Sequence, residues 1–256
     1  RHIRRNGEIS GEPPSTVSDI LARVSSPEAR AAPTCPPAVV CERVSKVYPG
    51  AQPVVALDSV ELAVASSEFL AVVGPSGGGK STLLHLIAGI DRPTSGSITV
   101  GGRDLATLTE SQLTLYRRRE VGVVFQFFNL LAHLTVRENV ELPRLLDGGG
   151  DAAVRARDLL NRVDLARRRD AYPYELSGGE MQRAAIARAL VSGAKLLLAD
   201  EPTGNLDSRH GEEVLALIDE VRRERGVTVI LATHSDAAAR RADRIEELKD
   251  GRITGL

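Results

Sequence analysis

Three short stretches of this 256-residue chain carry residue types and spacings suited to phosphate chemistry. The first is Gly74-Pro75-Ser76-Gly77-Gly78-Gly79-Lys80-Ser81, which fits G-x-x-x-x-G-K-[ST] and runs on into Thr82. It follows a short apolar run and opens a helix-like segment, as that motif requires. Its glycines let backbone N–H groups close around phosphate oxygens, and the helix N-terminus adds favourable partial charge. Lys80 suits the β- and γ-phosphates, and the Ser81 hydroxyl suits Mg²⁺. The second stretch, Leu196–Glu201, is apolar and ends in two carboxylates. Asp200 suits a metal ligand, directly or through water, and Glu201 suits the general base for an attacking water. An isolated Asp-Glu would simply mark a strand's exit into solvent. Beside a phosphate loop it points to catalysis.

The third stretch is Ser177-Gly178-Gly179-Glu180. Ser-x-x-Glu is also a helix capping box. A box alone leaves two glycines in the first helical turn unexplained, where each costs roughly 1 kcal/mol against Ala. Glycine there fits the close approach of a γ-phosphate to a helix N-terminus. One loop already cradles this chain's own nucleotide, so the second turn is expected to meet the nucleotide of another copy. The pattern is that of half an ATP-driven clamp.

Four single residues add weaker signals. Tyr48, before Pro49-Gly50, is a turn aromatic whose ring face could stack on adenine. Gln126 ends an apolar strand and could touch Mg²⁺ or the attacking water. His234 follows another strand and could contact the γ-phosphate. Asp207, a short loop after the acidic pair, falls near the expected dimer seam.

The elements that must position these groups are legible as patterns. Val39–Tyr48 and Ser59–Phe69 alternate as half-buried strands, and Phe69–Val73 is a short buried run. A helix is expected over Ser81–Ile90, with further strands at Gly96–Val100 and Val121–Gln126. Ala152, Ala153, Ala156, Leu159, Leu160 and Val163 make one helical face, which Arg167-Arg168-Arg169 would close. Another helix runs from Gly179 to about Val191. Lys195–Ala199 and Val227–Ala232 look like buried parallel strands. Glu212–Arg225 between them is an amphipathic helix with Val214, Leu215, Ile218 and Val221 inward. The expected fold is α/β: a P-loop NTPase core with a mostly parallel sheet, a small antiparallel β subdomain and a helical insertion at about 129–191. Residues 1–38 hold six of the 13 prolines and no aromatic residue, and the expectation there is a disordered tail. Ser18–Val24 within it has the pattern of a single helical turn.

Composition narrows the function classes. A hydrophobic share of 42% supports a sizeable core, and a net charge of -1 gives no bulk attraction to nucleic acid. Cys35 and Cys41 match no metal or redox spacing and read as reduced thiols, in keeping with cytosol. No apolar run reaches the roughly 18–20 residues of a membrane span. Any membrane work would need spans from other subunits.

Across about 39–256 the chain resembles the nucleotide-binding subunit of ABC transporters. Tyr48, Gly74–Ser81, Gln126, Leu176–Glu180, Leu198–Glu201, Asn205–Asp207 and His234 occur in family order. The resemblance implies an adenine-stacking aromatic, phosphate loop, glutamine loop, signature, acidic strand, dimer-seam loop and switch histidine, respectively. It implies a head-to-tail homodimer closing on two ATP with Mg²⁺, coupled to integral membrane permease subunits and peripheral on the inner face of the cell membrane. Leu108–Arg119, Val121–Leu131 and Leu134–Pro143 look like the lipoprotein-release, macrolide-export and cell-division branch. Met181 stands where that branch usually has a polar residue, and Gly78 replaces a common serine.

Three other readings have discriminating features. A DNA-maintenance ATPase would separate the motifs with coiled coils or zinc modules, whereas Gly74 and Ser177 here bracket no heptad run or cysteine pair. A P-loop kinase or GTPase leaves the Ser177 turn without a role. An ATP-dependent regulator of a cell-envelope enzyme, with nothing transported, shares every motif.

Overall fold

The structure is a computed structural model that describes residues 37–254. The expected tail, its Ser18–Val24 turn and Cys35 therefore lie outside the described residues, apart from Pro37 and Ala38.

A six-stranded sheet forms the frame. Its order is β10 (Arg252–Thr254), β9 (Arg244–Lys249), β3 (Phe69–Val73), β8 (Thr228–Thr233), β7 (Leu196–Asp200) and β6 (Val121–Val124). Every neighbouring pair from β9 to β6 is parallel, and β10 folds back antiparallel as an edge hairpin. The residues of β3, β7 and β8 are almost all buried on both faces, which explains their nearly unbroken apolar runs. Period-two alternation sorts them into two layers. Leu197, Ala199, Val229 and Leu231 point into one core. Leu196, Leu198, Ile230 and Ala232 point into the other.

The first core is covered by helices α3 (Val136–Leu146), α4 (Ala152–Arg162), α5 (Gly178–Leu190) and α6 (Ser208–Arg225). The second holds α1 (Lys80–Ile87), α2 (Glu110–Arg119) and a four-stranded antiparallel sheet. That sheet has the order β2 (Val54–Val64), β1 (Val39–Tyr48), β4 (Ser95–Val100), β5 (Arg103–Asp104). A short α7 (Asp236–Ala239) follows β8. The fold is the expected α/β type with a mostly parallel sheet and a separate antiparallel one.

Several boundaries differ from the sequence expectation, each for a local reason. The Ser59–Phe69 strand is two strands in different sheets. Ser67 takes a left-handed conformation, and the Glu68 carboxylate accepts from the Ala65 amide at 2.6 Å, closing a turn between them. The β6 strand stops at Val124, its last pairing with β7, so Gln126 lies in the following turn and not at a strand end. Helix α1 ends near Ile87, before Gly89 at φ 64°. Arg167–Arg169 do not close α4. That helix ends at Arg162, Asp164 turns left-handed, and Ala166–Arg168 form a separate 3-10 turn. Ala153 is exposed, while the other five residues of the expected α4 face are buried. Val214, Leu215, Ile218 and Val221 are all buried, and α6 starts earlier than expected because Asp207 caps it. The β9–β10 hairpin carried too many charged residues to show an apolar pattern.

Candidate functional site

Sheet order brings four motifs to one edge. Val73 pairs with Thr233, Asp200 with Ala232, and Val124 with Ala199. The C-terminal ends of β3, β8, β7 and β6 are therefore consecutive neighbours. From them emerge the Gly74–Ser81 loop, His234, Asp200-Glu201 and the Gln126 turn. Strand carboxyl ends are where open α/β sheets bind ligands.

The phosphate loop is shaped by what surrounds its glycines. Gly74 has φ 148°, and a Cβ there would lie 2.1 Å from the Leu248 carbonyl oxygen of β9. Gly79 has φ 102°, and its Cβ would lie 2.4 Å from the Ala56 carbonyl oxygen of β2. Only glycine admits this backbone, which wraps between the two sheets. Gly79 is the N-cap of α1 and gives it no side-chain cap, so the first-turn N–H groups face the loop without a side-chain acceptor. Lys80 is buried, and its ammonium donates to the carbonyls of Gly74 and Pro75, at 2.9 Å each. The concave loop thus carries N–H donors and a cation inside a Cβ-free cradle, the chemistry of a polyphosphate site.

Glu201 directly follows β7. Its amide donates to the Ala232 carbonyl at 2.9 Å, and its φ of 46° is left-handed, a costly conformation for a non-glycine residue. His234 Nδ1 lies 3.2 Å from Glu201 Oε1. The Glu201 side chain is largely shielded, whereas that of His234 is exposed. Gln126 is held by its backbone, since Asn205 Nδ2 donates to its carbonyl at 2.9 Å. Its side-chain amide lies against Gly204, where a Cβ would meet Gln126 Nε2 at 2.9 Å. Beyond Phe127, Phe128 and Asn129 are both left-handed, and the Arg188 guanidinium from α5 donates to their carbonyls at 3.0 and 2.5 Å.

Ser177 caps α5 in a full capping box with Glu180. The Glu180 carboxylate accepts from the Ser177 amide at 2.8 Å and hydroxyl at 2.9 Å. The Ser177 amide, then its hydroxyl and Arg168, hold Glu180 below the usual carboxylate range. The glycines have neighbours in their own chain. A Cβ on Gly179 would lie 3.0 Å from the His210 ring, and one on Gly178 would lie 3.2 Å from Leu206. Intramolecular packing therefore supplies part of the reason for glycine that the sequence reading gave wholly to a phosphate.

Asp207 caps α6, accepting from the His210 amide at 3.0 Å and facing His210 Nδ1 at 2.7 Å. These bonds, the backbone one first, pull its pKa down. Tyr48 ends β1. Its hydroxyl donates to Asp91 at 3.3 Å, and Lys46 Nζ lies 4.9 Å from its ring centroid. It pairs with Val54, two residues before Ala56 at the phosphate loop. Ser76, Gly77, Gly78, Ser81 and Thr82 complete the loop and the start of α1. His210 carries no site signal in the sequence, and Asn205 is marked there only as part of the Asn205–Asp207 seam loop, not as a partner of Gln126. Their role depends on contacts with Gln126 and Gly179, which lie 79 and 31 positions away.

The ABC transporter family model matches residues 57–204. An uncharacterized ABC transporter ATP-binding protein of Mycobacterium tuberculosis is 50% identical over 77% of this chain and 80% of its own length. The lipoprotein-releasing system ATP-binding protein LolD of Geobacter metallireducens is also 50% identical, over 77% of this chain and 88% of its own. The macrolide export ATP-binding/permease protein MacB of Salmonella typhimurium is 46% identical, but this chain spans only 33% of it. A dimeric post-hydrolysis structure of the ATP-binding cassette MJ0796 with ADP and Pi superposes with a TM-score of 0.79 at 40% identity. It covers 85% of this chain and 97% of that one. The chain belongs to the ATP-binding proteins of the ABC transporter family.

Proposed function

We propose that two copies of this chain hydrolyse ATP head to tail. Each ATP lies between one copy's Gly74–Ser81 loop and the other's Ser177-Gly178-Gly179 turn, and closure drives separate membrane subunits. The observation that carries this reading is the presence of two phosphate-suited turns with different walls. Leu248 and Ala56 wall the first, and Leu206, Phe128 and His210 wall the second. Only the first shares its sheet edge with both acids.

Within this reading Lys80 leaves the loop carbonyls for the β- and γ-phosphate oxygens, and the α1 N–H groups hold the rest of the polyphosphate. Ser81, Asp200 and Gln126 form an all-oxygen donor set of the kind that suits Mg²⁺. When bound, the ion neutralises charge on the β- and γ-oxygens. Glu201 takes a proton from the attacking water, and His234 orients that carboxylate and contacts the γ-phosphate. The water oxygen bonds to the γ-phosphorus as the bond to the β-γ bridging oxygen breaks, leaving ADP and phosphate. Tyr48 stacks on adenine, and Asp207 lies near the seam between copies.

Phe127 is 71% exposed and Leu131 48% exposed, both close after Gln126. They offer a membrane subunit an apolar contact on a turn that also senses the γ-phosphate. No helix among the described residues is long and apolar enough to cross a membrane. A position at the inner membrane face, on the cytoplasmic side, follows from this partnership. The names of LolD and MacB point to different cargoes, lipoproteins and macrolides.

The test is Glu201→Gln. Turnover is expected to fall by roughly 10²–10⁴-fold, the range for losing a general base. An ATP-dependent dimer should accumulate on size-exclusion chromatography. Unchanged turnover would reject Glu201 as the base.

A further inference from the structure

His210 has two contacts that the proposed cycle does not use. Its Nδ1 lies 2.7 Å from Asp207 Oδ2, while its own amide donates to Asp207 Oδ1 at 3.0 Å. Its ring lies against the first turn of α5, where a Cβ on Gly179 would be 3.0 Å from Cδ2 and 3.3 Å from Cγ. Leu206, on the same loop, packs on Gly178. The loop itself is tied back to the sheet edge, since Asn205 donates to the Gln126 carbonyl and the Glu201 amide to Ala232. One imidazole therefore spans the space between the Ser177 turn and the Asp207 loop, bonded to one and packed on the other.

We propose that His210 is a positioning residue that sets the spacing between the Ser177-Gly178-Gly179 turn and Asp207, so that both meet the partner copy's ATP together. This rests on the head-to-tail reading above. Nδ1 fixes the Asp207 carboxylate, and the ring sets how far that carboxylate stands from Gly179. In this role His210 acts through Asp207 and Gly179.

The test compares His210→Ala, His210→Asn and His210→Gln, each also built in a Glu201→Gln background. Asn carries an N–H near the position of Nδ1, whereas the Gln amide reaches toward Nε2. ATP-dependent dimerisation is followed by analytical ultracentrifugation, and steady-state kcat and KM are measured in the active background. Loss of a hydrogen bond to a charged group predicts about a tenfold rise in the ATP concentration that half-dimerises the Ala variant, with kcat falling similarly. Binding of a fluorescent ATP analogue to the monomer should stay unchanged, because the Lys80 loop is intact. Asn should restore most of the loss, and Gln should not. Parent-like dimerisation by the Ala variant would overturn the inference. So would equal rescue by Asn and Gln, or no rescue by an Asn variant with a parent-like melting temperature. Ser177→Arg separates the two levels. If it blocks dimerisation while His210→Ala does not, only the His210 inference fails. If Ser177→Arg also dimerises, the head-to-tail reading fails with it.

Discussion

At the scale of single residues, the proposed catalysis rests on a few groups that β-strand ends deliver to one edge. Lys80 is buried with both of its bonds inside its own loop, so its removal alters the cradle itself. Lys80→Ala is expected to weaken ATP binding at least tenfold, equivalent to about 1.4 kcal/mol or more. Isothermal titration checks this, and unchanged affinity would contradict the phosphate-loop assignment. Gly79→Ala is a harsher change, because the new Cβ would meet the Ala56 carbonyl at 2.4 Å at a φ of 102°. Nucleotide binding should be lost while the melting temperature falls. The sequence made these positions legible because motif spacing and backbone chemistry are local. It did not make Gly179 fully legible. The contact with His210 is long-range, and an exposed histidine on a helix gives no periodic signal.

At the scale of elements, the segment that leads from the β6 turn into α3 is tied down by the Asn139 side chain. Asn139 of α3 is fully buried. It accepts from the Leu131 amide and donates to the carbonyls of Leu131, Leu134 and Thr135. Asn139→Ala removes the partner of the Leu131 amide and the Leu134 carbonyl, whereas the Leu131 and Thr135 carbonyls keep bonds from the Leu134 and Asn139 amides; a loss of about 1–3 kcal/mol is expected. Urea unfolding reads it, and a change below about 0.5 kcal/mol, the scale of neutral surface changes, would contradict this role. Cys41 in β1 gives a pH-dependent test. Burial pushes its thiol up to about 12 from the ordinary 9.0. The folded state therefore keeps a proton that the unfolded state releases, so this contribution holds below pH 9 and is lost as pH rises from 9 toward 12. In a Cys35→Ser background, Cys41 should resist alkylation at pH 8 until urea unfolds the chain. Rapid native labelling would place the thiol outside the core. Buried parallel strands showed plainly in sequence as apolar runs. The break between β2 and β3, the end of α4 and the β9–β10 hairpin did not, because left-handed turns at Ser67 and Asp164 and the charged strand residues follow tertiary context.

At the scale of the whole molecule, the two layers of core hold the acidic edge and the Ser177 turn in one body, yet catalysis is assigned to a pair of copies. Legibility also divides at this scale. The α/β class followed from alternating patterns, whereas the pairing of copies followed from a second phosphate-suited turn with no nucleotide of its own. A bulky positive charge at that turn isolates the assembly step. Ser177→Arg should leave monomer ATP binding intact and abolish ATP-dependent dimerisation. The most direct measurement is turnover per chain across a dilution series at saturating ATP, repeated with increasing fractions of Glu201→Gln chains. Shared sites predict that specific activity rises with chain concentration and that inactive mates suppress the active chains they pair with. Constant specific activity on dilution, together with simple proportional loss on mixing, would mean that each copy cleaves ATP alone.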